Sequence, residues 1–377
     1  MAVSLDSEKD KTNYSQPLHL IAKSEYRANL RQYLTEDCFK VDKRHILLYL
    51  LSFAVFFGSM YGVLHLSSFF IVKLVLSFTM GVMLASLTFF LHDLFHGSII
   101  RSNIGSYLFG ISIGVFNLFA PLFWKRVHNL HHARTGNVDD PDRSYILQEK
   151  PKTGTEKFAY IMRISNESIH PILSLVFMSL GFFFYFLNTM FYGLIAKKAS
   201  IKEDKKYQRI QELFKTPKER AIVLGELIVI LSVQIFLFMV VCQQNFLNYF
   251  LISLMPVGIA HIIAMSYIHT NHFLSPLTGE IDDPLINSLS IKDPWFVDKI
   301  FSNFSHHVEH HLFPAVSSYH YPKIRKLLLK HYPGRYKFIS MIDAMKELFS
   351  TPRIYEDFTH LVSRDGSKRV DLLTLNS

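Results

Sequence analysis

Asn303-Phe304-Ser305-His306-His307-Val308-Glu309-His310-His311-Leu312-Phe313-Pro314 puts four histidines in six residues beside a carboxylate, and a proline ends it. On a helix, positions i, i+3 and i+4 lie on one face. His307, His310 and His311 have that spacing, which predicts three imidazoles converging on one metal. Isolated histidines on helices are ordinarily surface or core residues, so the weight rests on recurrence. His92-Asp93-Leu94-Phe95-His96 is H-x-x-x-H, and His128-Asn129-Leu130-His131-His132 repeats the H-x-x-H-H register of the third cluster. Eight of the 19 histidines therefore sit in three clusters of helical spacing. That exceeds the four ligands of a tetrahedral zinc site and suits two metals of higher coordination number.

These three boxes, in this order between apolar spans, resemble the membrane fatty-acid desaturase/hydroxylase superfamily. The phrases HDLFHGS, HNLHHARTGNVDDPD and HHVEHHLFP are most similar to acyl-chain desaturases. The resemblance covers roughly residues 45 to 355, and the three boxes together are a specific signal. It implies a non-haem centre of two iron ions that uses O2 and two electrons to remove hydrogens from an acyl chain. It also implies a further histidine ligand just after the last span; His272 is favoured, with His269 the alternative. The metal ligands so expected are His92, His96, His128, His131, His132, His272, His307, His310 and His311. Asp93, Glu309 and Asp139 or Asp140 are candidates, by adjacency, for carboxylates that orient the imidazoles through their second nitrogen. His306 forms an i, i+4 pair with His310, but the register of His307 repeats that of the second box.

Composition agrees with a membrane protein. The chain of 377 residues is 49% hydrophobic with 34 Phe and 18 Tyr, and its mean hydropathy is +0.19. Cys38 and Cys242 lie far apart and read as free thiols, with no disulfide framework. A net charge of +9 would raise nucleic acid as a partner in a soluble protein. Here Lys and Arg lie between and beyond the apolar runs, so attraction to the cytosolic leaflet accounts for it and no nucleic-acid role is expected. Residues 1–44 lack the apolar core of a signal peptide and read as a loosely ordered cytosolic arm with one amphipathic helix near 22–35.

Apolar runs at 46–65, 69–91, 221–242 and 246–268 each approach the ~20 residues needed to cross hydrocarbon. The connectors 66–68 and 243–245 carry no Lys or Arg and read as outside loops. Two hairpins then leave both termini and every box in the cytosol. The run 104–124, with Gly105, Gly110, Gly114 and Pro121, must dip in and return, or lie in the interface, if the first two boxes are to meet. Parity makes 170–196 a re-entrant, broken or interfacial element with Gly181 near its middle. The expectation is an all-α integral membrane protein. Four spans in two hairpins, with re-entrant or interfacial helices, carry a cytosolic helical cap that holds the boxes. Its divisions are 1–44 (arm), 45–355 (desaturase domain) and 356–377 (tail), and its membrane the bacterial inner membrane rather than the endoplasmic reticulum.

Two departures from family patterns refine the reading. Front-end desaturases carry Gln at the first position of the third box and a fused cytochrome b5 domain with HPGG; this chain has His307 and no HPGG. The electron donor is therefore expected to be separate, a ferredoxin or cytochrome b5, and the substrate an acyl lipid or acyl thioester. The alternatives are a hydroxylase or ketolase of the same superfamily acting on a lipid or carotenoid, and a histidine-rich zinc receptor or transporter.

Overall fold

The computed structural model describes residues 19–66, 69–143, 150–152, 154–197 and 205–375. The first helix, α1 (Lys23–Arg31), precedes two long apolar helices, α2 (Arg44–Leu66) and α3 (Phe70–Phe95). Next come α4 (Asn103–Asn117), α5 (Pro121–Arg134), α6 (Gly154–Met162), α7 (Pro171–Ile195) and α8 (Lys205–Leu213). Helices α9 (Pro217–Val241) and α10 (Phe246–His272) form a hairpin. The cap adds α11 (Pro284–Asn287), α12 (Trp295–Ile300), α13 (His307–Leu312), α14 (Tyr321–His331) and α15 (Met341–Ser350).

Among the described residues, five helices are long and apolar enough to cross a membrane: α2, α3, α7, α9 and α10. Their outer faces expose large apolar side chains, as lipid contact requires. α3 and α10 are the most enclosed of the five, with about half of each buried. His92 lies in the last turn of α3 and His272 ends α10, so the buried spans deliver the histidines.

α4 and α5 meet at a bend of 101°. Leu118 ends α4 in the left-handed region (φ 60°) and Pro121 starts α5, where its fixed φ suits the first turn. Gly114 permits the close return: a Cβ there would lie 2.6 Å from the Phe119 carbonyl oxygen. Polar groups hold the apex. Gln234 of α9 donates to the Val115 carbonyl (2.8 Å) and accepts from Tyr249 (3.0 Å) and Ser253 (2.7 Å). The Glu226 carboxylate accepts the backbone N–H of Leu122 in the first turn of α5.

Three expectations are corrected. α7 is continuous through Gly181, neither broken nor re-entrant in shape, which leaves only the interfacial form of that expectation; one glycine costs a helix only ~1 kcal/mol, too little to break one this apolar. The described part of the arm is packed rather than loose: Tyr26, Leu30, Leu34 and Cys38 share a core with Val308, Leu312, Tyr321 and Ile324. Residues 1–18 of that arm, and part of the 66–68 connector, lie outside the described residues. The cap is not wholly helical. Strands β1 (Ser290–Lys292) and β2 (Phe338–Ser340) pair in parallel, and β3 (Ile354–Tyr355), β4 (His360–Val362) and β5 (Arg369–Asp371) form an antiparallel sheet. The boundary expected at 355 thus falls inside a sheet.

Candidate metal centre

Nine histidines from four helices converge. His92 and His96 close α3; His128, His131 and His132 lie on α5; His272 ends α10; His307, His310 and His311 lie on α13. They form two groups. One holds His92, His96, His128, His132 and His310, the other His131, His272, His307 and His311; within each, one ring nitrogen per residue lies within 4.8 Å of all the others.

This partition corrects the expectation that the three imidazoles of the third box converge on one metal. In the second box His128 and His132 join the first group and His131 the second. In the third box His307 and His311 join the second group and His310 the first. Helical geometry gives the reason. At about 100° per residue, i and i+4 diverge by only ~40°, whereas i+3 lies ~60° to the other side. The i, i+4 pair chelates together and the i+3 imidazole leans to the neighbouring group.

Hydrogen bonds fix which nitrogen faces inward. The Asp140 carboxylate receives His131 Nδ1 at 2.8 Å. Asp142 lies 3.5 Å from His128 Nδ1, and Asp93 lies 3.3 Å from His92 Nδ1. Tyr321 and Thr135 hydroxyls meet Nδ1 of His310 (2.9 Å) and His311 (3.4 Å). Where a carboxylate holds the proton on Nδ1, the ring turns an Nε2 lone pair inward. These Nε2 atoms crowd: His307–His272 at 2.8 Å, His307–His311 at 3.0 Å, His132–His310 at 3.0 Å and His128–His132 at 3.1 Å. Nitrogens so close and so converged are placed to bind a common cation. Nε2 of His92 and of His96 are buried without a hydrogen-bond partner among the described residues. The donor set therefore fits two metal ions. Burial, then neighbouring histidines, hold His307, His310 and His311 well below the ordinary imidazole range, so they are neutral and able to ligate.

Other candidates fall elsewhere. His269 is not in either group; its ring packs on Phe273 with centroids 4.1 Å apart. His306 occupies the position before α13, and its Nδ1 meets Ser305 Oγ at 3.0 Å. Asp139 pairs with Arg134 (2.8 Å) and Arg209 (2.6 Å). The side chain of Glu309 turns away from the histidines, which corrects its assignment by adjacency. It accepts from Arg325 (2.7 Å), Ser290 (2.6 Å) and Tyr336 (2.6 Å). Although burial opposes it, these partners and Arg325 above all hold its carboxyl below the usual range. Asp142, Thr135 and Tyr321 were not singled out from sequence as partners of the histidines. Asp142 sits in the acidic run after the second box, but only the fold shows which of its carboxylates turns inward.

Aromatic side chains wall the centre. Phe304 stacks on Phe89 (4.3 Å between centroids) and meets the His92 ring edge-on (4.9 Å), while Trp124 stacks on His128 (5.1 Å). Gly136, at φ +82°, lets the chain after the second box approach the segment after His272. A Cβ there would lie 2.3 Å from Thr278 Oγ1.

The chain matches the family model described as fatty acid desaturase over residues 68–342, a stretch that contains all nine histidines. No curated protein matches it.

Proposed function

The chain belongs to the fatty acid desaturase family, and from that premise we propose that it introduces a C=C bond into a fatty-acyl chain with O2 and two electrons from a separate donor. Membership makes it an oxidoreductase, and its apolar helices fit a multi-pass membrane protein. The observation that carries the finer reading is the convergence of nine imidazoles in two adjacent groups beside span ends, five of them oriented at Nδ1 by a carboxylate or a hydroxyl.

In this reading His92, His96, His128, His132 and His310 hold one iron and His131, His272, His307 and His311 the other. Two irons would supply, with O2, the oxidising power that an unactivated C–H bond demands and that no side chain offers. The balance is one acyl –CH2–CH2– unit, O2, two electrons and two protons giving –CH=CH– and two waters. The protein's part is positional. Asp140 and Asp142 hold two imidazoles in the ligating tautomer, Tyr321 and Thr135 orient two more, and the wall of Phe89, Phe304 and Trp124 excludes water and gives an acyl tail an apolar surface. Five nitrogens in one group exceed a zinc tetrahedron and suit iron.

Expression in a host lacking the product, with mass spectrometry of total fatty acids and metal analysis of the purified protein, tests this. A new double bond with two iron per chain is expected. An added oxygen atom indicates a hydroxylase or ketolase, and zinc without O2 consumption a receptor or transporter.

A further inference from the structure

The chain leaves α10 after His272, returns to it at β1, and from there descends along it. Leu289 N–H donates to the Asn271 carbonyl (2.8 Å), and four residues on Asp293 accepts the Tyr267 hydroxyl, one helical turn nearer the membrane. Beyond that, the Ile300 carbonyl at the end of α12 accepts Ser86 Oγ of α3 (2.6 Å). Ser86 precedes His92 by six residues, about 9 Å down the span. β1 therefore points toward the bilayer. β2 is its parallel neighbour, with Ser340 opposite Lys292, and points the same way. At that lower end β1 leads into α12 and β2 into α15. Both helices turn apolar side chains outward. Trp295 is 77% exposed, Phe296 51% and Ile342 69%, as much as Ile71 (68%) on the outer face of α3. A shallow groove beside α15, lined by Met341, Ile342, Met345 and Phe349, is closed on its far side by Pro171, the first residue of α7. Ile172 and Leu173, next along α7, are exposed as well, so the apolar outer surface of α7 continues onto α15. The acids on these segments do not interrupt it. Tyr267 holds Asp293, Ser305 holds Asp298, Lys346 and Ser340 hold Asp343, and Glu347 accepts Ser350 Oγ.

We propose that α12 and α15 are seated in the bilayer leaflet on the side of the cap. Trp295, Phe296 and Ile342 lie among the upper acyl carbons, and a lipid acyl chain fills the groove beside α15. A contiguous apolar patch on helices that lie along a membrane surface is what such contact requires. Trp295 has exposed Lys292 and Lys299 within four residues of it, and an indole beside Lys is an interfacial pair. The Lys stems can lie along the acyl carbons while their charges reach the headgroups. Acidic and basic residues nearly balance on both helices, Asp298 with Lys299 and Asp343 and Glu347 with Lys346, so apolar contact rather than headgroup charge holds them. The proposal holds whatever reaction the metal centre performs, since it depends only on α3 and α10 crossing the bilayer.

Tryptophan fluorescence tests this, because the chain has only Trp124 and Trp295. The full chain is placed in nanodiscs of neutral phosphatidylcholine. The difference in emission between the wild type and Trp295→Phe isolates Trp295. Lipid brominated near the carboxyl end of its acyl chains is expected to quench that emission about twofold more than lipid brominated near the methyl end, as for an indole at the interface. Iodide in solution should quench it little. Ile342→Trp in the Trp295→Phe background reads α15 and should behave alike. Ile281→Trp in the same background lies at an exposed position on the stretch beyond the end of α10. Its indole should be quenched by iodide and by neither lipid. Each change is at an exposed side chain, so the packing of the cap is retained. Adding phosphatidylglycerol should alter none of these results. Strong iodide quenching with no effect of brominated lipid, at position 295 or at 342, overturns the proposal. Shielding from both quenchers also overturns it, since a second copy or another protein would then cover the face. Lipid quenching that appears only with phosphatidylglycerol overturns it too, because charge would then hold the helices.

Discussion

Asp140 performs a task that neighbouring Asp139 cannot. Its buried carboxylate holds the proton on His131 Nδ1, whereas Asp139 is taken by Arg134 and Arg209. Asp140→Asn presents an amide that can donate, which favours the wrong imidazole tautomer. Iron retention under a chelator challenge should fall about 10–100-fold, as for other carboxylates behind ligating histidines. Asp139→Asn should retain iron as the wild type does. The same logic separates His272 from His269. His272→Ala should leave about one iron per chain and no desaturation, and His269→Gln should keep two; metal analysis of both purified variants decides. Spacing made the nine histidines legible because helical periodicity is local. It could not reveal how they divide between two groups, nor that Thr135 and Tyr321 complete them, since those depend on how α5, α13 and α14 face one another.

The third box shows why an element needs its surroundings. α13 has six residues, too few to persist as a helix on its own. It stands because Glu309 binds Arg325 of α14, Ser290 of β1 and Tyr336 at once. Removing the carboxylate leaves Arg325, 14% exposed, with its charge unpaired. Glu309→Ala should destabilise the protein by about 3–5 kcal/mol, and the double change Glu309→Gln with Arg325→Met by much less. Thermal unfolding in detergent measures both. α7 poses the topological question at this scale. Before it, Arg353 donates to the Ile164 carbonyl (2.9 Å) and Asn166 N–H to that of Thr351 (3.1 Å). After it, Arg209 binds Asp139 (2.6 Å) beside the second box. Both ends are thus tied to the cap; if α7 lies along the interface, four helices cross. Cysteine labels at Lys152 and Lys205 should then react from one side and a label at Gln244 from the other. Lys152 and Lys205 on opposite sides would mean five crossings. Hydropathy could not distinguish these cases, because an interfacial helix and a span share length and composition.

Across the whole molecule, the irregular stretch 273–289 between His272 and the third box is where distant parts of the chain meet. From the N-terminal side, Ile21 N–H (2.8 Å) and Tyr26 (3.2 Å) donate to Asp283, and Lys23 binds Asp282 (2.6 Å). From the second box, Gly136 carbonyl accepts Thr278 N–H (2.9 Å), and Asn287 donates to the Thr135 carbonyl (3.1 Å). From the C-terminal sheet, Tyr355 donates to the Ser275 carbonyl (2.8 Å), and Leu277 N–H to that of Phe358 (2.8 Å). Leu277, Tyr355, Leu361 and Leu372 form a small core of their own. A polar sequence without periodicity gives no sign of such a hub, and strands of two or three residues carry too little alternation to be read. The consequence concerns metal retention. Ending the chain after Arg353 removes β3–β5, exposes Leu277 and frees the carbonyl of Ser275, three residues from His272. The second group, which depends on His272 meeting His307 and His311, should lose its iron first, while the first group, built on α3 and α5 with His310 of α13, keeps its own. Metal analysis should then approach one iron per chain, and the thermal midpoint should fall. Two iron per chain with an unchanged midpoint would show that the sheet is peripheral to the centre.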